Sequence, residues 1–388
     1  MSHIGEFDLI RRIAATSTVP SGTVGIGDDC AVIPQTSGLD TLVTTDLLIE
    51  GLHFLLEDIT PFELGWKSAA VNISDIAGMG GRPTSAFLSI ALPDFAKRGE
   101  VGLPGRFRHD GEGGSVCRSG RGGESPDSLQ VWMDEFIQGF NALCGRFGVR
   151  LLGGDTSASD DKLFINVTLL GECPHGQAVL RSGARPGDII YVSGPLGDSA
   201  AGLRLILERR AGEAAADCAG RPLALGRPGD PFAFGRPGDS PESILIRRHY
   251  LPEPRVALGQ ALAALPSVHA MMDISDGIAS DLRHILEASG GAPATILAAE
   301  VDVRSIPLSE ALRSVCEQRG WDAAELAVSG GEDYELLFTA APGTEVPEGC
   351  VAIGRIVQLP AAEGGQEAKA AAIRWIGSDR DYKGFTHF

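Results

Sequence analysis

The chain has 388 residues, room for two domains or one large one, and at 43% hydrophobic it can bury sizeable cores. Lys and Arg number 33 against 51 Asp and Glu, and the net charge of -18 excludes a general nucleic-acid binder, which needs a basic face for phosphates. No apolar run approaches the roughly 18 residues of a membrane span.

In chain order, the first residues, MSHIGEFDLIRRIA, lack the apolar core of a secretory signal, and Gly5–Ala15 has helical spacing. Asp40–Leu48 reads as a strand running into a polar cluster. Pro61–Met79 reads as a helix with Ala69, Ala70, Val71 and Ile73 on its apolar side. Ser85–Leu92 and Lys162–Gly171 read as strands. Trp132–Phe147 reads as a helix, with Trp132, Phe136, Phe140, Leu143 and Phe147 on one stripe. Near residue 180 the pattern becomes a turn, a short buried strand (Ile189–Val192), a glycine loop and a helix. MMDISDGIASDLRHILEASG follows, then a helix around Ser309–Arg319, then SGGEDYELLFTA. A boundary near 172–182 divides the chain into domains at 1–175 and 176–388. The seven cysteines are scattered without metal-type spacing, which fits a reduced, cytoplasmic setting.

Two segments read as insertions. Residues 99–125 hold nine glycines in 27 positions and cannot bury enough apolar surface to offset their ordering entropy, so a disordered loop is expected. Residues 211–243 carry GRPGD twice and read as a flexible loop.

The acids recur in one format, flanked by Gly, Ser or Thr at the end of an apolar run. The segments are GIGDDCA (Asp28, Asp29), TTDLLIEGLHF (Thr44, Thr45, Asp46, Glu50, His53), VNISDIAGMG (Asn72, Asp75), LLGGDTS (Asp155), MDISDGIASDL (Asp273, Ser275, Asp276, Asp281) and SGGEDYEL (Glu332, Asp333). One such aspartate is most often a helix cap or a turn residue. Six segments together point elsewhere, because capping needs no glycine pair before the acid, and glycine there lets backbone approach a ligand. Carboxylates beside small residues and hydroxyls suit Mg²⁺, which bridges carboxylates to substrate phosphates. If the first segment enters a strand, Asp28 and Asp29 face opposite ways and only one joins the others.

No GxxxxGK[ST], dinucleotide GxGxxG, kinase signature or GxSxG elbow is present. A glycosidase would need two carboxylates, not six glycine-flanked sets. The amides of GPLGDSAAGL are placed to hold an anion at a helix start, or simply to connect a strand to a helix. Arg181 and Arg185 suit bidentate phosphate contact or a plain surface role.

GEFDLI, GIGDDCAV, DLLIEGLHF, KSAAVNISDIAGMGGRP, LLGGDTS, LRSGARPGD, GPLGDSAAGL, RRHYLPEPRVALG, DISDGIASDLRHILEASG, SGGEDYELLF and DYKGFTHF, in this order, resemble the thiamine-monophosphate kinase family. The likeness covers nearly the whole chain except the two insertions. It implies an α+β, two-domain fold of the aminoimidazole ribonucleotide synthetase-like type, with the N-terminal sheets of two subunits paired in a homodimer and a C-terminal α/β domain. It implies ATP-dependent phosphorylation of thiamine monophosphate to thiamine diphosphate. Transferred residue by residue, it implies Mg²⁺ ligands at Asp29, Thr44, Thr45, Asp46, Asp75, Asp155, Asp273 and Asp276. It puts ATP contacts at Gly154, Arg181 and Ser275, and substrate contacts at His53, Glu332 and Tyr382, the last where the family often has tryptophan. The acceptor phosphate is already ionised, so no general base is expected and His53 is a binder. Two rival readings are another ATP-dependent enzyme of the superfamily with a different acceptor, and a binding protein with a decayed site. Every acid of the matched motifs is present, which argues against decay.

Overall fold

A computed structural model describes residues 21–22, 24, 28–35, 38–93, 128–216, 239–290, 296–359 and 372–384. The expected helix at Gly5–Ala15, the segment 99–125, residues 217–238 of the second insertion and the final FTHF lie outside them. Two sheets carry the fold. The first joins β1 (Ala31–Pro34), β2 (Leu39–Ile49), β3 (Arg82–Pro93), β4 (Arg150–Ser159) and β5 (Phe164–Pro174) in the order β1-β2-β5-β3-β4, antiparallel except for the parallel pair β3 and β4. Strands β2 and β5 alternate in burial along their length, as a sheet with one covered face requires. Leu42, Leu48, Ile165, Val167 and Leu169 point into the core, while Leu47, Phe87 and Leu152 are exposed.

Two helices cover the inner face: α1 (Pro61–Gly78) and α2 (Ser128–Phe147). Thr60 caps α1 and Glu63 returns the bond to the Thr60 backbone, so both ends of this capping box are made. Every residue of α1 except Phe62 and Asp75 is buried. The aromatic stripe read in the sequence is the packing face of α2, with Trp132 stacked on Phe136 at 5.4 Å between ring centres.

The second sheet contains β6 (Ile189–Val192), β7 (Val268–Asp273), β8 (Ile296–Asp302), β9 (Leu336–Ala340), β10 (Val351–Leu359) and β11 (Ala372–Ile376), ordered β11-β8-β10-β6-β9-β7. Its helices are α3 (Asp198–Ala216), α4 (Pro241–Tyr250), α5 (Val256–Ala263), α6 (Ile278–Ser289), α7 (Glu310–Arg319) and α8 (Ala323–Ser329). Helix α6 packs on β7, β8 and β9 over one core. The other core runs from the first sheet through α1 and α2 into α3, α4, α5 and α7, so it crosses the change of sheet between Pro174 and Ile189. Trp66 of α1 donates its indole N–H to the Pro252 carbonyl at 2.8 Å, within that shared core. The α+β fold expected from the sequence is present.

LLGGDTS, to which the sequence pattern assigns no element, is a strand. It lies within β4, an edge strand, where Gly154 pairs with Leu88 and Asp155 with Ser89. Two glycines and a run of small polar residues hid its strand character. Phe136 is fully buried between the first sheet and α1, so Phe136→Ala should lower the unfolding free energy by about 3–5 kcal/mol, read from thermal or urea unfolding.

Candidate active site

Four of the sequence-selected carboxylates meet from four different elements. Asp29 precedes β1, Asp46 lies on β2, Asp75 on the last turn of α1, and Asp273 at the end of β7. The Thr44 hydroxyl donates to Asp75, whose carboxyl is also in hydrogen-bond reach of Asp46. Ser74 donates to Asp273 at 2.5 Å. Arg181 holds Asp29 through Nε at 2.7 Å and through a second guanidinium nitrogen. Its backbone N–H donates to Asp28 at 3.1 Å. The two neighbouring aspartates are therefore unequal: Asp29 joins the cluster, and Asp28 secures the backbone of the arginine behind it.

Burial and mutual repulsion make this cluster costly. Burial, then the Asp46, Asp273 and Asp29 charges, push the Asp75 carboxyl well up. Burial and Asp29 push Asp273 up to about 8, and burial pushes Asp46 up to about 6. Asp29 is also raised by burial, although Arg181 opposes the shift. Among the described residues its buried Oδ2 has no well-formed hydrogen bond, while the nearby Asp273 N–H also opposes the shift.

Among the described residues no group of three or more His, Cys, Asp or Glu is spaced to hold a metal ion as it stands. The donor chemistry nevertheless fits Mg²⁺. Among the described residues all donors are oxygens, one buried oxygen lacks a well-formed hydrogen bond, and the acids outnumber Arg181, the arginine that faces them. Mg²⁺ keeps several waters and shares its sphere with substrate phosphates, so it does not need a closed protein cage.

The GGED segment has a different role from the one its glycines suggested. A Cβ on Gly331 would lie 2.3 Å from the Ser275 carbonyl oxygen, and one on Gly154 1.7 Å from that of Leu88. At both places glycine lets two backbones approach each other. Glu332 then adopts a left-handed φ of 63°, with its N–H on the Ser275 carbonyl at 2.7 Å. Its carboxylate accepts from Lys67 Nζ at 2.9 Å. Burial raises this carboxyl, but the Lys67 ammonium and its hydrogen bond oppose burial and hold it below the usual range. Asp333 accepts from the N–H groups of Gly197 and Ser199, at 2.7 and 3.2 Å. The anion at the start of α3 is thus a carboxylate of the chain itself, which decides the GPLGDSAAGL alternatives. Glu335 is paired with Arg255 and accepts from Ser193.

The remaining candidates are distributed. His53 Nδ1 accepts the Ile49 N–H at 2.9 Å, which leaves Nε2 to carry the proton of a neutral ring on the Glu332 side of the site. Asp276 follows β7, and its N–H donates to the buried Asp281 at 3.3 Å. Thr45 faces away from Thr44 and Asp46, and its hydroxyl meets Thr168 at 3.1 Å. Asp155 and Gly154 are exposed on β4, three strand spacings from β2, about 14 Å by sheet geometry. Tyr382 is 3% exposed, edge-on to Trp375, with its hydroxyl 3.0 Å from Ser378, so its ring belongs to the second core and not to the His53–Glu332 side. Sequence reasoning missed Lys67, Ser74 and His249. For Lys67 a signal existed: it is the one basic residue of its helix and stands among small and apolar neighbours.

The two-sheet fold matches a known class. The AIR synthase related protein, N-terminal domain family matches residues 27–106 and 117–173. More narrowly, the chain is 34% identical to the thiamine-monophosphate kinase of Salmonella typhimurium over 99% of its own length and 98% of the relative. A solved structure of AaThiL complexed with AMPPCP and TMP superposes with a TM-score of 0.73 at 31% identity, covering 100% of this chain and 98% of that one. The thiamine-monophosphate kinase of Stenotrophomonas maltophilia gives 0.62 at 32%, covering 96% of each. The chain belongs to the thiamine-monophosphate kinase family.

The raised carboxyls have a thermodynamic consequence. Asp46 and Asp273 take up protons near 6 and 8 in the folded chain, against 3.8 otherwise. The folded state therefore binds the extra protons, and stability falls as pH rises through that window. Metal-free protein should melt at a higher temperature near pH 6 than near pH 8.5. Added Mg²⁺ should raise the melting temperature more at the higher pH. A pH-independent Mg²⁺ response would contradict the cluster's electrostatics.

Proposed function

We propose that this chain transfers the γ-phosphoryl group of ATP to thiamine monophosphate, giving ADP and thiamine diphosphate as the last step of thiamine diphosphate biosynthesis. The observation that carries this reading is the convergence of Asp29 and Asp273, both buried, with the half-buried Asp46 and Asp75, in a place with too little positive charge of its own. The names of its relatives, and the AMPPCP and TMP in the AaThiL complex, support the two substrates.

ATP carries about four negative charges and a phosphate monoester nearly two at neutral pH. Two unit charges at about 4 Å repel by roughly 4 kcal/mol at an effective dielectric near 20. Bound Mg²⁺ supplies the positive charge that offsets this repulsion. Asp29, Asp46, Asp75 and Asp273 would hold it, with Thr44 and Asp276 beside them, whereas Thr45, which faces the other side of β2, and Asp155, three strands away, would have to reposition to join the set. Gly154, Arg181 and Ser275 would contact ATP, and His53, Glu332 and Tyr382 the acceptor. For Tyr382 that role requires the C-terminal segment to reposition its ring. The acceptor oxygen is already ionised, so the residues position and neutralise without a general base, which suits direct in-line transfer. The exposed face bearing Leu47, Phe87 and Leu152 suits pairing of two N-terminal sheets in a homodimer. Among the described residues no helix is long and apolar enough to cross a membrane, and the reduced cysteines suit a cytoplasmic setting.

ADP formation from ATP should depend on thiamine monophosphate and fail with other small acceptors of the superfamily; a preference for another acceptor would overturn the substrate. Asp46→Asn or Asp75→Asn should cut kcat roughly 100-fold or more while the protein stays folded. Near-normal turnover in either would remove the metal assignment. His53→Ala should raise KM for thiamine monophosphate about tenfold and lower kcat less. A pure kcat loss would point to proton transfer at His53.

A further inference from the structure

Lys67 is 1% exposed on its side chain, in the middle of the most buried helix of the fold. Glu332 is its ion-pair partner at 2.9 Å and is 27% exposed. The pair is thus asymmetric. The ammonium is sealed from water and fixed by a rigid helix, while the carboxylate opens outward on one side. His249, also buried, stands behind the same carboxylate oxygen, with Nδ1 3.4 Å from Oε2. Ser199 Oγ lies 3.0 Å from that Nδ1 and fixes the ring in turn. Burial, then Lys67, push the His249 ring down to about 3, so it stays neutral and leaves Lys67 as the buried cation. Both described contacts fall on Oε2, and Oε1 is the oxygen left for a ligand. The Glu332 backbone is at φ 63°, a conformation that non-glycine residues keep only when their surroundings over-determine it. Here the Ser275 carbonyl determines the backbone and Lys67 the side chain.

We propose that Lys67, backed by His249 and Ser199, is the positioning residue that aims Glu332 Oε1 at the cationic ring of the acceptor. The inference rests on the reading of Glu332 as an acceptor contact. A pair that only joined the two halves of the chain would have no reason to leave one carboxylate oxygen open. It would not need a neutral histidine on the same oxygen as the lysine either. Removing the ammonium frees the Glu332 side chain to rotate and weakens its contact with the acceptor, without touching the phosphate end of the reaction.

Steady-state kinetics on the full chain test this with Lys67→Met, Lys67→Arg, Glu332→Gln and the double variant Lys67→Met/Glu332→Gln. Lys67→Met should raise KM for thiamine monophosphate about 10- to 100-fold, with kcat and KM for ATP within about threefold. Lys67→Arg should recover most of the loss, and the double variant should be no worse than Glu332→Gln alone. An unchanged KM for thiamine monophosphate, additive losses in the double variant, or equal rises in both KM values would overturn the positioning role. If Lys67→Met does not fold, His249→Gln decides: a selective rise in the same KM is expected, and no rise overturns the proposal. Wild-type protein that turns over ATP with another acceptor but not with thiamine monophosphate would overturn the functional reading and this inference together. A loss confined to the variants bears on the positioning alone.

Discussion

Like charges buried together are the constraint around which the molecule is organised. Asp29 and Asp273, both buried, share one region with the half-buried Asp46 and Asp75, and each raises the proton affinity of others. Such a cluster would spread apart if its backbone could yield. It does not, because each acid sits on or beside a different regular element, and those elements are locked by packing elsewhere. Arg181 offsets part of the charge on Asp29, and hydroxyls from Thr44 and Ser74 stabilise Asp75 and Asp273. What is left uncompensated is the affinity the site can offer to a cation.

Helix α1 makes that rigidity possible. Its apolar residues fill the core shared by the two halves, and three of its residues find polar partners in the second half of the chain. Lys67 meets Glu332, Ser74 meets Asp273 and Trp66 meets the Pro252 carbonyl. A buried polar group is tolerated only when it is paired. Those three pairs therefore specify how the second half of the chain sits against the first. The same contacts that set the arrangement of the halves also set the site between them.

The acids that look alike in the sequence do different work. Asp333 neutralises the amides at the start of α3, Glu335 anchors Arg255, and Asp28 holds the backbone of Arg181. These three act within the protein. Glu332 alone in its motif keeps an oxygen turned outward. The glycines beside these acids serve backbone-to-backbone contact, at Ser275 and at Leu88, where any side chain would collide.

Much of this was legible from residue order. The helical stripe from Trp132 to Phe147, the strand around Asp46, the short strand Ile189–Val192 and the recurring acid segments followed from periodicity and local composition. Local pattern carries that information because hydrophobic burial repeats with the period of each element. It could not carry the rest. Whether Asp155 lies in a loop or on an edge strand, and how far it stands from Asp46, depends on strand order. The partner of Lys67 is 265 residues away. That Tyr382 packs on Trp375 while His53 faces Glu332 depends on which core closes over each ring. The sequence by itself determined the strongly periodic elements, the family likeness and the set of acids. Only the tertiary structure decided which acids converge, which are spent on internal contacts, and which lysine aims the carboxylate, because burial and pairing are set by distance in space and not along the chain.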